Sequence, residues 1–223
     1  LGGEWYIDEM KTKANDAPGV PFSLPKHKYT FNNDMIYVTN SIDRPVEIKE
    51  VIDFVRSDDP RSKVKLADGT LADYIPAKRI ALPVNKENAL ASGIVAEKNS
   101  LDKNQLMILD MLANFDWKRP IYMTQVYILQ DFGLMDYLQF DGYAYRLVPI
   151  LTPTQNPYEI GRIDADYAAP LLRDTFRYGN LEDPRVYADY FIQYNLSASH
   201  ARDAFARVAK ELLRQNRVAE AVE

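Results

Sequence analysis

An α+β fold, a mixed sheet with packed helices followed by a C-terminal α-helical segment, is expected from three features of the chain. Short β-rich runs bounded by turn residues recur through the first 150 residues, as in Met35 to Thr39 and Leu71 to Ile75. Helical periodicity interleaves with them, most clearly in Ile48, Val51, Ile52 and Val55, spaced i, i+3, i+4, i+7. Beyond residue 163 the strand signals stop and amphipathic helices take over. The expected division is an α+β domain over 1–150, a linker over 151–163 holding Pro153, Pro157 and Gly161, and a helical segment over 164–223.

Taken in order, residues 1–13 predict a short amphipathic helix, and residues 14–34 a turn-rich loop with Pro18, Gly19, Pro21 and Pro25. Pro45 to Ser57 reads as a helix with a first-turn proline, stopped by Asp58-Asp59-Pro60. Ala67 to Thr70 is turn chemistry, Leu71 to Ile75 and Arg79 to Val84 are strands, and Asn85 to Ser92 is a short helix or turn. Asp102 with Gln105 three residues on forms a capping box, opening a broadly apolar helix that ends at Phe115 to Pro120. Ile121 to Thr124 and Gly142 to Ile150 read as strands, and Gly133 to Gln139 as a helix. Pro170 to Tyr178 is expected to be helical. Asp183-Pro184 then caps a helix whose aromatic face is Tyr187, Tyr190, Phe191 and Tyr194.

The last helix pair carries a sharper pattern. Phe205, Val208, Ala209 and Leu212 are followed by Asn216 at a turn and Ala221 beyond it, the spacing of a tetratricopeptide-like helix–turn–helix. Such a repeat cannot bury its own face. With Glu223 falling early in the second helix, further helical repeats are expected in a longer parent protein.

Composition narrows the function classes. The 223 residues suffice for one large or two small domains. A net charge of -5 argues against a nucleic-acid partner, because phosphate binding wants a basic face. The absence of cysteine excludes disulfides, thiolate zinc sites and cysteine nucleophiles. His27 and His200 are the only histidines, too few for a histidine-rich metal centre. No apolar run reaches the roughly 18 residues needed to span a bilayer. Phosphate-binding glycine loops and hydrolase or zinc-protease motifs are missing, so neither a cofactor nor a metal nor a catalytic residue is expected.

The most chemically loaded stretch is Asp116-Trp117-Lys118-Arg119-Pro120. Arg119 offers a fork for carboxylate or phosphate and Trp117 a stacking face, against the plainer reading of a core tryptophan in an exposed charged turn. Trp5, Tyr6, Asp8 and Glu9 form a second aromatic–acidic cluster, although neighbouring helical carboxylates point apart. Asp58 and Asp59 present two oxygens to a hard cation but lack the further ligands such a site needs, and aspartate is an ordinary helix stop before proline. Asn195-Leu196-Ser197 fits the glycosylation acceptor pattern.

Six stretches together resemble a known family: the runs starting at Trp5 (WYIDEMKTK), Ser57 (SDDPRSK), Ile75 (IPAKRIALPVNKENAL), Leu106 (LMILDMLANFDWKRPIYMT), Asp136 (DYLQFDGYAYRLVPI) and Phe176 (FRYGNLEDPRVYADY). They are similar to the region behind the membrane domain in a family of multi-pass bacterial membrane proteins, formerly of unknown function and related to protein O-mannosyltransferases. The resemblance implies a parent protein of the C-type membrane glycosyltransferase kind, which passes a sugar from a polyprenyl-phosphate donor to an acceptor on the extracytoplasmic side. It implies a catalytic acid in the transmembrane part, and thus a tethered periplasmic accessory domain here that positions the acceptor or caps the active site. Expected partners are its own transmembrane domain, a protein acceptor and the lipid-linked sugar donor. Acceptor or headgroup contacts are expected at Trp117, Lys118, Arg119, Trp5 and Asp8. Gly3-Glu4 departs from the Thr-Asp usual in the family before Trp-Tyr-Ile-Asp. The alternative reading is a protein- or peptide-binding scaffold with no link to sugar transfer.

Overall fold

The computed structural model describes residues 7, 10, 19–29, 35–82, 94–95, 98–154, 156, 158–177, 183–187, 189–194 and 201–223. The chain divides into two compact units, one of Leu1–Arg119 with Tyr127–Leu134, the other of Pro120–Val126 with Met135–Glu223. It therefore passes from one unit to the other three times. The content is α+β, with a helical segment at the C-terminus.

The first unit holds a sheet of four strands in the order β3 (Lys63–Lys65), β4 (Leu71–Ile75), β1 (Met35–Val38), β7 (Ser100–Asp102). β1 runs parallel to β4, with Tyr37 opposite Tyr74, and antiparallel to β7, with Ile36 opposite Leu101. β1 alternates exposed and buried residues, so Ile36 and Val38 enter the core while Met35 and Tyr37 face outward. Helix α1 (Ile48–Arg56) buries Ile48, Val51, Ile52 and Val55, the face its spacing predicts. It packs on β4 and on helix α2 (Lys103–Ala113).

The helix expected from Pro45 starts later. Val46–Glu47 is extended as β2 and pairs in parallel with β5 (Arg79–Ala81), which also pairs with β6 (Ile94–Val95). That ladder holds the backbone amides and carbonyls a first helical turn would have left open. At α2 the capping box is complete: Asp102 accepts from the Gln105 amide at 2.9 Å and Gln105 Oε1 from the Asp102 amide at 3.0 Å. Of the expected helix over 1–13, Ile7 and Met10 are described; both are helical, and Ile7 is fully buried. The element expected at Asn85 to Ser92 lies outside the described residues.

The second unit starts from an antiparallel sheet ordered β8 (Tyr122–Met123), β10 (Tyr145–Leu147), β9 (Leu138–Phe140). A helix was expected over Gly133 to Gln139. Instead Gly133 sits at φ 65°, Met135–Tyr137 makes one tight turn, and Leu138, Gln139 and Phe140 form a strand buried on both faces. Burial on both faces erases the period-2 signal that would have marked it.

The stretch expected as a linker, 151–163, is stitched to this sheet. The Thr152 amide and hydroxyl both donate to the Asp136 carbonyl, at 2.7 and 2.9 Å. Arg162 bridges β9 in parallel, taking the Phe140 amide at 2.8 Å and giving its own amide to Leu138 at 3.1 Å. Gly161, at φ 72°, runs so close that a Cβ there would stand 3.0 Å from the Leu138 carbonyl oxygen. The chain passes between the units at 119/120, 126/127 and 134/135.

Helix α3 (Ala165–Pro170) begins earlier than expected and carries Pro170 inside it. Pro170 cannot donate to the carbonyl four residues back. The next turn, Leu171–Thr175, is π-helical, closing with the Phe176 amide on the Leu171 carbonyl at 2.9 Å. Of the expected aromatic helix, α4 covers Tyr190–Gln193, and Tyr187, Tyr190 and Phe191 are exposed rather than core-facing.

Helices α5 (Ala201–Arg214) and α6 (Val218–Val222) form a hairpin turned at Asn216, φ 61°. Val208 and Leu212 are buried, whereas Phe205 is half exposed. The core joins them to Phe140, Ala165, Ala168, Leu172 and Ala204. Buried Arg207 closes it, donating to the Ile160 carbonyl at 2.8 Å with its guanidinium 4.1 Å from the Phe140 ring centre. Among the described residues no helix is long and apolar enough to cross a membrane.

Candidate functional site

A mixed polar cluster in the second unit is the arrangement with most chemical potential. Its centre is Asp141, directly after β9 and only 2% exposed. The chain can turn there because Gly142 adopts φ 97°; a Cβ would stand 2.8 Å from the Phe176 ring and 2.9 Å from Leu172. Asp141 Oδ1 accepts from Gln139 Nε2 at 2.9 Å, and Oδ2 from the Tyr122 hydroxyl at 3.1 Å. Arg146 Nε stands 3.0 Å from the same Oδ2. Gln139 is itself held, its Oε1 accepting from Arg162 Nη2 at 2.9 Å. Tyr167, on α3, brings its hydroxyl within 3.2 Å of that of Tyr122, and the Arg146 guanidinium lies 4.5 Å from the Tyr167 ring centre.

Burial pushes the Asp141 carboxyl above the ordinary carboxylate range, against the downward pull of Gln139, Arg146 and Tyr122. Burial also raises the Tyr122 phenol, reinforced by Tyr167 and Asp141. The Tyr122 phenol thus stays protonated at neutral pH, and hydrogen bonds run from half-exposed Tyr167 through Tyr122 to buried Asp141. Perturbed titrating groups gathered beside an exposed edge mark functional sites more often than chance.

The first unit holds two further polar knots. Asp110 is fully buried on α2 and accepts from the amides of Ser23 and Leu24 at 2.8 and 3.0 Å, from the Ser23 hydroxyl at 2.6 Å, and from the Tyr29 hydroxyl. Burial and the Asp110 bond drive the Tyr29 phenol strongly upward. With every oxygen filled, Asp110 ties residues 23–29 to the helix. The second knot sets Lys28 Nζ 2.8 Å from Asp58 Oδ1, 3.1 Å from Asp73 Oδ1 and 3.2 Å from the Ser57 carbonyl, with Lys63 also bonded to Asp73. Burial works against the Lys28 charge, but the carboxylates of Asp58 and Asp73 outweigh it and hold its pKa above the usual lysine value.

The aspartate pair considered for a hard cation is already engaged. Asp58 serves Lys28, and Asp59 accepts from the Arg61 amide at 2.9 Å while capping a short 3-10 turn. Among the described residues no group of three potential metal ligands comes together.

Trp117, Lys118 and Arg119 share one turn, as the sequence implies. Asp116 Oδ1 accepts the Lys118 amide at 3.0 Å, Lys118 extends into solvent, and Arg119 Nη1 donates to the Gly19 carbonyl at 3.2 Å. Trp117 packs on Phe115, ring centres 4.7 Å apart. It is half-buried at φ 62°, a conformation costly for a bulky residue, and among the described residues its buried Nε1 has no hydrogen-bond partner. Trp5 and Asp8 lie outside the described residues.

The model of one family, TMEM260-associated domain 2, matches residues 1–167. The chain belongs to the TMEM260-associated domain 2 family. That membership associates it with a membrane glycosyltransferase-like protein related to O-mannosyltransferases. The family match takes in Tyr122, Asp141, Arg146 and, at its last position, Tyr167; helices α5 and α6 fall beyond it. No curated protein and no solved structure matches the chain.

The Asp141 cluster escaped the sequence reading because it is assembled from positions 122, 139, 141, 146 and 167. The one local signal was Asp141-Gly142, which reads as an ordinary turn.

Proposed function

We propose that this chain is an extracytoplasmic accessory domain of a polyprenyl-phosphate-sugar-dependent membrane glycosyltransferase, tethered by transmembrane helices of its parent protein. The domain positions a protein acceptor or caps the active site, and the chemistry resides in the membrane domain. The observation that carries this reading is membership of the TMEM260-associated domain 2 family over residues 1–167. On this reading Trp117, Lys118 and Arg119 are the contact for acceptor or headgroup, because the turn presents a strained tryptophan and two cations together.

The test is sugar transfer from a polyprenyl-phosphate donor, measured for the full parent protein, for the parent lacking this domain, and for the domain alone. Transfer or acceptor affinity should fall when the domain is removed, and the domain alone should transfer nothing. Transfer by the isolated 223 residues would overturn the assignment, as would unchanged transfer and acceptor affinity without them.

A second reading, a peptide-binding scaffold built on a tetratricopeptide-like hairpin, is favoured by an apolar cavity of about 370 Å³ beside α5 and α6, lined by Leu172, Phe205, Val208, Leu212 and Ala221. Binding of acceptor peptide that is lost on Leu212→Asp, without any effect of the domain on sugar transfer, would favour it.

A further inference from the structure

The Asp141 cluster has a directionality that its roll of hydrogen bonds conceals. Every oxygen of the cluster is engaged. Asp141 Oδ1 takes Gln139, its Oδ2 takes Tyr122, and the Tyr122 oxygen can take the Tyr167 proton. Arg146 differs. Its Nε lies 3.0 Å from Asp141 Oδ2 without forming a well-aimed hydrogen bond, and among the described residues neither terminal nitrogen has a hydrogen-bond partner. A quarter of the side chain is exposed.

The guanidinium is nevertheless not loose. Its Cζ lies over the Tyr167 ring, 4.5 Å from the ring centre, and its Nε abuts a carboxylate that is buried and clamped by two other donors. The guanidinium is thus held at two points, and among the described residues the remaining Nη edge has no hydrogen-bond acceptor. A fixed guanidinium edge is a planar two-pronged donor, the geometry that pairs with two oxygens of one anion. A polyol is the poorer match, since sugar hydroxyls want acceptors as well as donors and the acceptors here are already filled.

We propose that Arg146, held by Asp141 and Tyr167, is the binding fork for an oxyanion that presents two oxygens, a phosphate monoester or a carboxylate. The site is built from residues of the second unit and stands independently of the glycosyltransferase reading, since an anion can bind whether or not the parent transfers sugar. Asp141 and Tyr167 are positioning residues; Arg146 is the residue that touches the ligand.

The experiment is a titration of the 223-residue chain followed by the Arg146 Nε–Hε resonance and by calorimetry, with thermal unfolding monitored for every variant. The probes are inorganic phosphate, phenyl phosphate, acetate, and phosphatidylcholine vesicles with and without phosphatidic acid. At least one of them should shift the Arg146 signal, and the responding probe identifies the source: free phosphate, phosphate ester, carboxylate or lipid headgroup. Arg146→Gln should weaken that binding about tenfold or more. Arg146→Lys keeps a cation beside Asp141, so it guards against misfolding; it should still bind several-fold more weakly, because a point charge does not replace the fork. Tyr167→Phe should bind like the native chain, and Tyr167→Leu more weakly. If none of the probes binds, or if Arg146→Gln and Arg146→Lys both bind as the native chain does, the assignment is wrong.

Discussion

Two buried carboxylates of this chain behave oppositely because of what surrounds them. Asp110 is saturated by two backbone amides, two hydroxyls and the Asn114 side-chain amide, so its removal strands several donors at once. Each stranded group costs about 1–3 kcal/mol, and Asp110→Ala should therefore lower unfolding free energy by about 3 kcal/mol in urea. A loss below about 1 kcal/mol would show that these bonds reform to water. Asp141 is burdened by burial, and its pKa is raised. Between the unfolded and folded values the native state binds more protons than the unfolded chain, so this group's contribution to stability is present at low pH and lost as pH rises through the folded value. Asp58 and Asp131, whose values are lowered, slope the other way. The difference between native protein and Asp141→Asn, measured by urea unfolding from pH 4 upward, isolates the one group: the variant should lose the downward component. Identical slopes would mean Asp141 titrates normally. The sequence shows neither role, because an aspartate in an apolar helix and one before a glycine look alike until their distant partners, Tyr29 and Tyr122, are placed.

Elements specified by neighbouring residues were legible. The capping box at Asp102 and Gln105 needs only residues three apart, and the apolar face of α1 only a helical period. Asp102→Ala should cost about 1 kcal/mol, read from the urea midpoint. A smaller loss would assign the helix start to Gln105, which also donates to Asp131 at 2.8 Å. Elements that depend on a distant partner were missed. β2 is extended because β5 pairs with it, and β9 is a strand because both its faces are covered. Pro170 marked a helix start on local grounds, yet the chain keeps it inside by widening the following turn. That turn carries Leu172 and leads to Phe176, the two side chains against Gly142. Gly142→Ala therefore combines a positive φ with a collision, and about 2–3 kcal/mol of stability should be lost. If thermal unfolding of Gly142→Ala matches the native chain, Leu172 and Phe176 give way to the added methyl without cost.

At the scale of the molecule, the α+β character was legible, while the interleaving of the two units leaves no local mark in the sequence. Proline and glycine at 153, 157 and 161 mark a linker by composition, but Thr152 and Arg162 hydrogen-bond that stretch to Asp136 and β9. Cutting at 163 should then do more than remove a tail. Phe140, packed with Ala168, Leu172 and Val208, would lose its cover, and so would Tyr143 and Tyr145. A 1–163 fragment is expected to bind a hydrophobic dye and lose near-ultraviolet circular dichroism from its second unit; a fragment with native spectra would show that β8–β10 stands alone. The triple passage of the chain between units has a consequence for inheritance. Residues 127–134 belong to the first unit, while 120–126 and 135–223 belong to the second. No single crossover in a gene hands over one unit cleanly: a breakpoint at 134/135 carries 120–126 away with the first unit, and one at 119/120 carries 127–134 away with the second. The pair can be duplicated, fused or lost together, but not shuffled apart without leaving one of them incomplete.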